Sequence, residues 1–376
     1  MNPFYTQILP INAPFCNRTV EIKELHQHAL NGVNVVLYSP RRYGKTSLVR
    51  KVQAQLAEEG VLTIYADFFG VTSIDDIATQ LAKAVFEATR QREPLWKRAL
   101  QTIKYFRPII RPDEQSGFTV GVEIASINLQ GIELLEQTME SLGKYIADSE
   151  VPVNIVLDEF QEITTLKDAL KVEAVLRTHI QHHQASYFFV GSRRRTLLAI
   201  FNDQQRPFFQ SAFNYPLPPL PKIELSAYLV QQFERGDRHC PPDVAEKIAE
   251  TTNCHPCYTQ KLAYLMYGMT EKEISANDIA AGMRRLQESE RPVFEAVLQG
   301  LSLQQIRVLK TIAREPVKKP LGNDYLGRNR LGSPTGVSHS LKHLENLDLV
   351  EKQDNGMWRV VDPIMTRYLT GKNGNL

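Results

Sequence analysis

Long apolar runs are missing from this 376-residue chain, and with them the stretch of about twenty residues that a membrane helix needs. The start carries no basic segment followed by an apolar one, so a secretory leader is not expected. Cysteine is scarce, with four residues in all, too few for a disulfide framework at this length. A cytoplasmic protein without membrane contact is the expectation. Neither sign of charge is in large excess: 44 Lys+Arg against 42 Asp+Glu leave a net +2. What is present is globular in character, with 43% hydrophobic and 23% charged residues and length for two or three domains. The charge is unevenly spread. Residues 300–376 hold 12 Lys+Arg and 7 Asp+Glu, a net of +5, which leaves −3 for the remainder. A basic tail is a weak pointer to an acidic partner.

The densest chemical signal lies at residues 38–47, Tyr-Ser-Pro-Arg-Arg-Tyr-Gly-Lys-Thr-Ser. An apolar run (33–37) precedes it and an amphipathic segment (48–52) follows, the strand–loop–helix setting of a phosphate-binding P-loop. Gly44 lets backbone N–H groups turn inward toward phosphate oxygens. Lys45 reaches the β- and γ-phosphates as a point charge, and Thr46 offers a hydroxyl to Mg²⁺. The helix after them aims its positive end at the same anion. Ser39, Pro40, Arg41, Arg42, Tyr43, Gly44, Lys45, Thr46 and Ser47 are therefore the expected nucleotide cradle. Ser39 stands where the common pattern has its first glycine.

A second motif supports the first. Val153 to Phe160 is a near-continuous apolar run ending in Asp158 and Glu159. Such a run suits a strand buried on both faces of a parallel sheet, with the acids at the carboxyl end where α/β sheets bind ligands. Asp158, with Thr46, is the expected metal pair. Glu159 is the expected base that orients and deprotonates the attacking water.

Along the chain, strand-like runs at 61–67 and 186–192 alternate with helical patterns at 20–30, 74–89, 134–147 and 170–183. This predicts an α/β fold, a P-loop NTPase parallel sheet with helices on both faces. Ser73 is the expected N-cap of the 74–89 helix. Residues 90–130 read as an insertion containing a small hairpin. Its basic-aromatic stretches, around Trp96 and Tyr105, suit a solvated helix or a nucleic-acid contact. Pro216, Pro218, Pro219 and Pro221 mark an extended linker. Helical patterns fill 224–298. Beyond 302, two helices (304–315 and 337–347) and an Asn355-Gly356 hairpin suggest a winged helix-turn-helix. Domains are accordingly expected at 1–220 (ATPase, with the insertion), 221–299 (helical lid) and 300–376 (winged helix).

In this order the elements resemble the archaeal-type ATPase family of the AAA+/STAND P-loop class. Ser-Pro-Arg-Arg-Tyr-Gly-Lys-Thr-Ser-Leu is similar to that group's loop. The resemblance implies that the segment ending in Arg18 lies near the adenine, that Ser192 is a sensor near the γ-phosphate, and that Cys254-His255-Pro256 stands where relatives carry Gly-x-Pro, with Pro256 against the nucleotide. Arg193, Arg194 and Arg195 offer one arginine to the transition state; Arg193 is the candidate, with the choice left open. The implied activity is ATP hydrolysis with ATP and Mg as cofactors, working as a molecular switch. Two further readings stay open: a DNA-handling ATPase of a mobile element or of replication or repair, and a nucleotide-holding scaffold with negligible turnover. For the winged helix, Ser338, His339 and Lys342 would face double-stranded DNA while Arg359 touches its backbone. The alternative is a protein partner or self-association. A redox role for Cys254 and Cys257, or a zinc role that adds the nearby Cys240 and His239, is the lesser reading, because neither has a second matching pair at metal spacing.

Overall fold

The computed structural model describes residues 2–371 apart from 11, 91–92, 114–116, 126–128, 271 and 354. The end of the expected tail (372–376), Asp354 in the expected hairpin and parts of the expected insertion lie outside the described residues. The chain forms two compact units: Thr19–Ser39 with Lys45–Leu217, and Met1–Arg18 with Pro40–Gly44 and Pro218–Leu376.

The first is a sheet unit. In chain order it contains α1 (Thr19–Leu30), β1 (Val35–Tyr38), α2 (Lys45–Glu58), β2 (Leu62–Asp67), α3 (Ile74–Thr89), α4 (Glu93–Thr102), β3 (Phe106–Asp113), β4 (Gly117–Ile124), α5 (Gly131–Ala147), β5 (Val153–Asp158), α6 (Ala169–Ile180), β6 (Ser186–Gly191), α7 (Arg194–Asn202) and β7 (Phe213–Pro216). Five strands pair in parallel in the order β2-β5-β6-β1-β7. Every residue of β5 and β6 is buried, so helices cover both sheet faces, as parallel strands require. Ser73 caps α3 through a reciprocal box with Asp76. β3 and β4 form the expected antiparallel hairpin. In the insertion, Trp96 meets Phe86 edge-on at 5.5 Å and Phe106 is buried.

One expectation fails here. The linker was expected to begin at Pro216, yet Phe213–Pro216 pairs with β1 as a fifth strand, and of that stretch residues 217–221 alone run outside helix and strand. β7 has a single neighbour, so Pro216 sits on an edge strand, where a missing N–H is tolerated. The 170–183 helix also ends early, at Ile180.

The second unit is helical. It contains α8 (Lys222–Arg235), α9 (Pro242–Thr251), α10 (Pro256–Met269), α11 (Ala276–Gln299), α12 (Leu303–Arg314), α13 (Asn323–Arg328), α14 (Pro334–Asn346), β8 (Val350–Lys352), β9 (Trp358–Val360) and α15 (Pro363–Thr370). The lid and winged-helix segments share one core, running from Leu229 and Phe233 through Met283 and Phe294 to Val337, Leu344 and Leu369. α11 continues through Pro292. Phe294 is buried and packs on Tyr368 at 5.5 Å, a tertiary contact that carries the helix beyond its proline. β8 and β9 pair as the expected short hairpin.

Candidate nucleotide site

In the sheet unit, β1 ends at Tyr38 and α2 begins at Lys45. Lys45 is buried, and its Nζ donates to the Ser39 carbonyl at 3.0 Å, with the Ser39 hydroxyl at 3.4 Å. Ser39 does not occupy the left-handed region; within the loop, Arg42 (φ 63°) and Gly44 (φ 87°) do. The departure from the glycine pattern at Ser39 is thus free of backbone strain. The first turn of α2 holds Lys45, Thr46 and Ser47 and no acid, so its positive end is open to an anion.

Thr46 and Asp158, distant in sequence, meet. Thr46 Oγ1 donates to Asp158 Oδ2 at 2.8 Å, and the Tyr65 hydroxyl donates to the same oxygen at 2.5 Å. The other carboxylate oxygen accepts from the Glu159 N–H at 3.0 Å. Burial first, and then the Asp158 charge, push the Tyr65 phenol well above its ordinary range, so it stays a donor. Asp67 pairs with Asp158 across the β2–β5 register. Burial raises its carboxyl, the Phe69 N–H opposes, and the charges of Asp158 and Glu159 add to the rise.

Glu159 leaves β5 in the left-handed region at φ 50°, an uncommon conformation for this residue. The chain then turns through a short 3₁₀ segment, Phe160–Thr165. Phe160 anchors that turn, with its ring 4.7 Å from Phe189 and 5.6 Å from Phe208. Glu159 Oε2 accepts from the Ser192 hydroxyl at 3.0 Å and also from the Gln161 amide. Of the three arginines, Arg193 pairs with Glu162 at 3.5 Å, Arg194 lies over the Tyr38 ring at 5.5 Å, and Arg195 is exposed. Lys45, Thr46, Asp158, Glu159, Ser192 and Arg193 therefore stand on the carboxyl ends of β1, β5 and β6 or just after them.

The remaining expected residues belong to the helical unit. Arg18 is buried, has φ 72°, and donates to the Pro218 carbonyl at 2.6 Å. Cys16 packs with Leu220, Leu225, Tyr228 and Ala249, beside Cys254. Pro256 is the first residue of α10, capped by His255. Cys254 has φ 53°, which is the physical reason a glycine suits this position. Cys254 and Cys257 are free thiols, and burial raises both.

Pro40–Gly44 pack within this unit too. Tyr43 meets His255 edge-on at 4.8 Å. Arg42 Nη1 pairs with Glu290 Oε2 at 2.9 Å, and Lys261 holds the other Glu290 oxygen. Tyr258, 6.0 Å from the Arg42 guanidinium, donates to Asp362 at the start of α15. Sequence reasoning missed Gln161, Tyr65, His255, Lys261, Glu290 and Asp362. Of these, Gln161, two residues after the acid pair, and His255, inside the Cys254-His255-Pro256 stretch, lay near a recognised motif.

Residues 15–190 match the family described as "ATPase domain predominantly from Archaea", and residues 292–371 match the "Probable winged helix domain" family. Residues 15–190 are accordingly an ATPase domain of the archaeal type. Among solved structures, a Walker-type ATPase of Pyrococcus abyssi, PABY2304, is similar at TM-score 0.70 and 16% identity, over 97% of this chain and 99% of that one. The ORC2 protein of Aeropyrum pernix, in ADPNP and ADP complexes, follows at 0.58 and 18%, over 98% and 97%. The ORC1 protein of the same organism, in complex with DNA, gives 0.51 and 17%, over 97% and 95%. At these identities the likeness is one of fold. No curated protein matches the chain. Among the described residues, no helix of this chain is long and apolar enough to cross a membrane.

Proposed function

We propose that this ATPase is a molecular switch that binds ATP, hydrolyses it at the β–γ bond, and couples the nucleotide state to its winged helix. The observation that carries the reading is the convergence of Thr46, Asp158, Glu159 and Ser192 after β5 and β6, beside the open end of α2. Lys45 would exchange the Ser39 carbonyl for the β- and γ-phosphates. Ser192 would sense the γ-phosphate, and Arg193 would offset charge in the transition state. Glu159 would take the proton of the attacking water. Tyr65 holds Asp158 in place through its hydroxyl.

The hydroxyl and carboxylate oxygens of Thr46 and Asp158, already within 2.8 Å, are hard donors that fit Mg²⁺. Bound there, Mg²⁺ would neutralise phosphate charge. The adenine would be met by Arg18 and Pro256. Coupling is supported by the packing of Pro40–Gly44 in the same unit as the lid and winged helix, through Arg42, Lys261 and Glu290. Domain limits at 220/221 and 299/300 and a cytoplasmic setting are part of the proposal. The ADPNP and ADP complexes of the Aeropyrum pernix ORC2 protein favour an adenine nucleotide.

One observation favours a second reading, in which residues 300–376 hold double-stranded DNA. On α14, Val337, Ser340, Leu341 and Leu344 are buried, while Ser338, His339 and Lys342 are exposed together. The DNA complex of the Aeropyrum pernix ORC1 protein supports it. Arg359 is held by Glu351 at 2.8 Å across the hairpin, which makes it a weaker candidate than Lys342.

The test is phosphate release and nucleotide affinity in the full chain. Lys45→Ala should lose ATP binding. Glu159→Gln should keep binding and lose roughly 10²–10⁴ in turnover, the contribution of a general base. Wild-type affinity in a folded Lys45→Ala protein rejects the site. Unchanged turnover in Glu159→Gln rejects the base, and no turnover in the wild type favours a nucleotide-holding scaffold.

A further inference from the structure

Gln161 is fully buried in the turn after Glu159. Its Nε2 donates to Glu159 Oε2, and a second carboxylate, Glu162 Oε1, lies 3.4 Å away. Both neighbours are acceptors, so the amide's orientation follows from chemistry: nitrogen toward the acids, oxygen away. That oxygen faces β6 and has no hydrogen-bond partner among the described residues. A residue that merely filled space here would be apolar, because an unsatisfied buried carbonyl costs stability. The room it occupies exists because β6 ends in glycine. A Cβ on Gly191 would stand 2.0 Å from Gln161 Oε1 and 3.1 Å from Leu197 Cδ2. The backbone of Gly191 does not need a glycine's freedom, since its φ is not positive. Space for the amide is therefore the reason for this glycine. The next residue, Ser192, donates to the same Glu159 oxygen at 3.0 Å.

We infer that Gln161 is a positioning residue for the base of ATP hydrolysis, and that Gly191 is glycine to admit its amide. The inference rests on the reading of Glu159 as that base. A carboxylate on a short left-handed turn has free rotation about its side-chain bonds. Two donors on one oxygen fix that oxygen and leave Oε1 to accept the proton of a water. A single donor, Ser192, would leave the group free to swing, and a misplaced base loses rate without loss of substrate binding.

The experiment compares the full-length wild type with Gln161→Ala, Gln161→Glu, Gly191→Ala, Glu159→Gln and Gln161→Ala/Glu159→Gln, measuring kcat, KM and ATP affinity. Gln161→Glu keeps the volume and replaces the donation with repulsion, and Gly191→Ala displaces the amide without altering it. All three variants of the Gln161–Gly191 pair should lose roughly ten- to a hundredfold in kcat, the worth of one hydrogen bond to a charged group, with KM and affinity within about twofold. In the Glu159→Gln background, Gln161→Ala should change turnover by less than about twofold, because a residue that acts through the base has nothing left to act on. Wild-type kcat in Gln161→Glu and Gly191→Ala overturns the inference. So does raised kcat, which would make the amide a restraint on the base. So does a loss that adds fully to Glu159→Gln or that resides in ATP affinity. Full turnover in Glu159→Gln alone instead removes the base reading, and the inference falls with it.

Discussion

Glu290 offers a measurable link between Arg42 of the phosphate loop and the α11 helix of the same unit. Its side chain is 4% exposed and meets two cations: Arg42 at 2.9 Å, 43% exposed, and Lys261, 23% exposed. Removing the acid leaves two positive groups together without a counter-ion. A buried pair broken on one side costs about 3–5 kcal/mol, an exposed one at most about 1. The partial exposure of both cations places Glu290→Ala between these, at about 2 kcal/mol. The coupling between Arg42 and Glu290 should be about 1 kcal/mol, since Lys261 keeps its hold when Arg42 is removed. The assay is a double-mutant cycle of Arg42→Ala and Glu290→Ala in denaturant. A Trp96→Phe background leaves Trp358, on β9 of the helical unit, as the single tryptophan reporter. Burial pushes the Glu290 carboxyl up, but hydrogen bonds from Lys261 and Arg42 outweigh it and hold the group below its ordinary value. The native carboxyl is then more acidic than the unfolded one. Its contribution is complete above the unfolded value, about pH 4.3, and fades as pH falls below it. The coupling should be the same at pH 7 and pH 5.5. A coupling below about 0.3 kcal/mol at pH 7 would refute the argument, since independent sites add to within that error.

Acid should weaken the sheet unit at a particular histidine. Burial, with His179 and His182 adding charge, lowers His183 to about 4, and its Nδ1 bonds the Tyr187 hydroxyl at 2.6 Å. A depressed base stabilises the fold above its unfolded value, near 6.5, and loses that contribution as pH falls toward 4. Between pH 7 and pH 5 the wild type should lose about 1–2 kcal/mol that His183→Gln does not lose, read from Trp96 in a Trp358→Phe background. Equal slopes in both proteins would show that His183 is not responsible. In the centre of the sheet, Asn154 accepts from Gln53 at 3.1 Å and donates to Ser186 at 2.9 Å. Asn154→Val should destabilise by about 2 kcal/mol despite a better strand residue, because Gln53 and Ser186 each lose a buried hydrogen bond. A neutral or stabilising result in urea unfolding would count against it. For the winged helix, Lys342→Ala should reduce the slope of log affinity for double-stranded DNA against log salt by about one unit in gel-shift titrations. No retardation at low salt, with or without ATP, would turn the reading toward a protein partner.

Features with local causes were legible before any coordinates. The Ser73 N-cap, the Gly44-Lys45-Thr46 turn and the apolar runs of β5 and β6 each arise within a few residues, through hydrogen-bond reach or side-chain period. The Asn355-Gly356 hairpin and the exposed Ser338, His339 and Lys342 followed from the same local rules. What only the tertiary structure decided depends on groups far apart in the chain. β7 is a strand because β1 offers it an edge, which no property of Phe213–Pro216 announces. α11 passes Pro292 because Tyr368 receives Phe294. The hydroxyl of Thr46 reaches Asp158 only because β1 and β5 lie in one parallel sheet with β6 between them. Gln161 looked like an ordinary polar residue until the turn after Glu159 buried it against Gly191. Arg42, 248 residues from Glu290, found its counter-ion in the same way. Sequence period sets which elements form; the low dielectric of the interior, which makes every buried polar group seek a partner, sets which distant residues must meet.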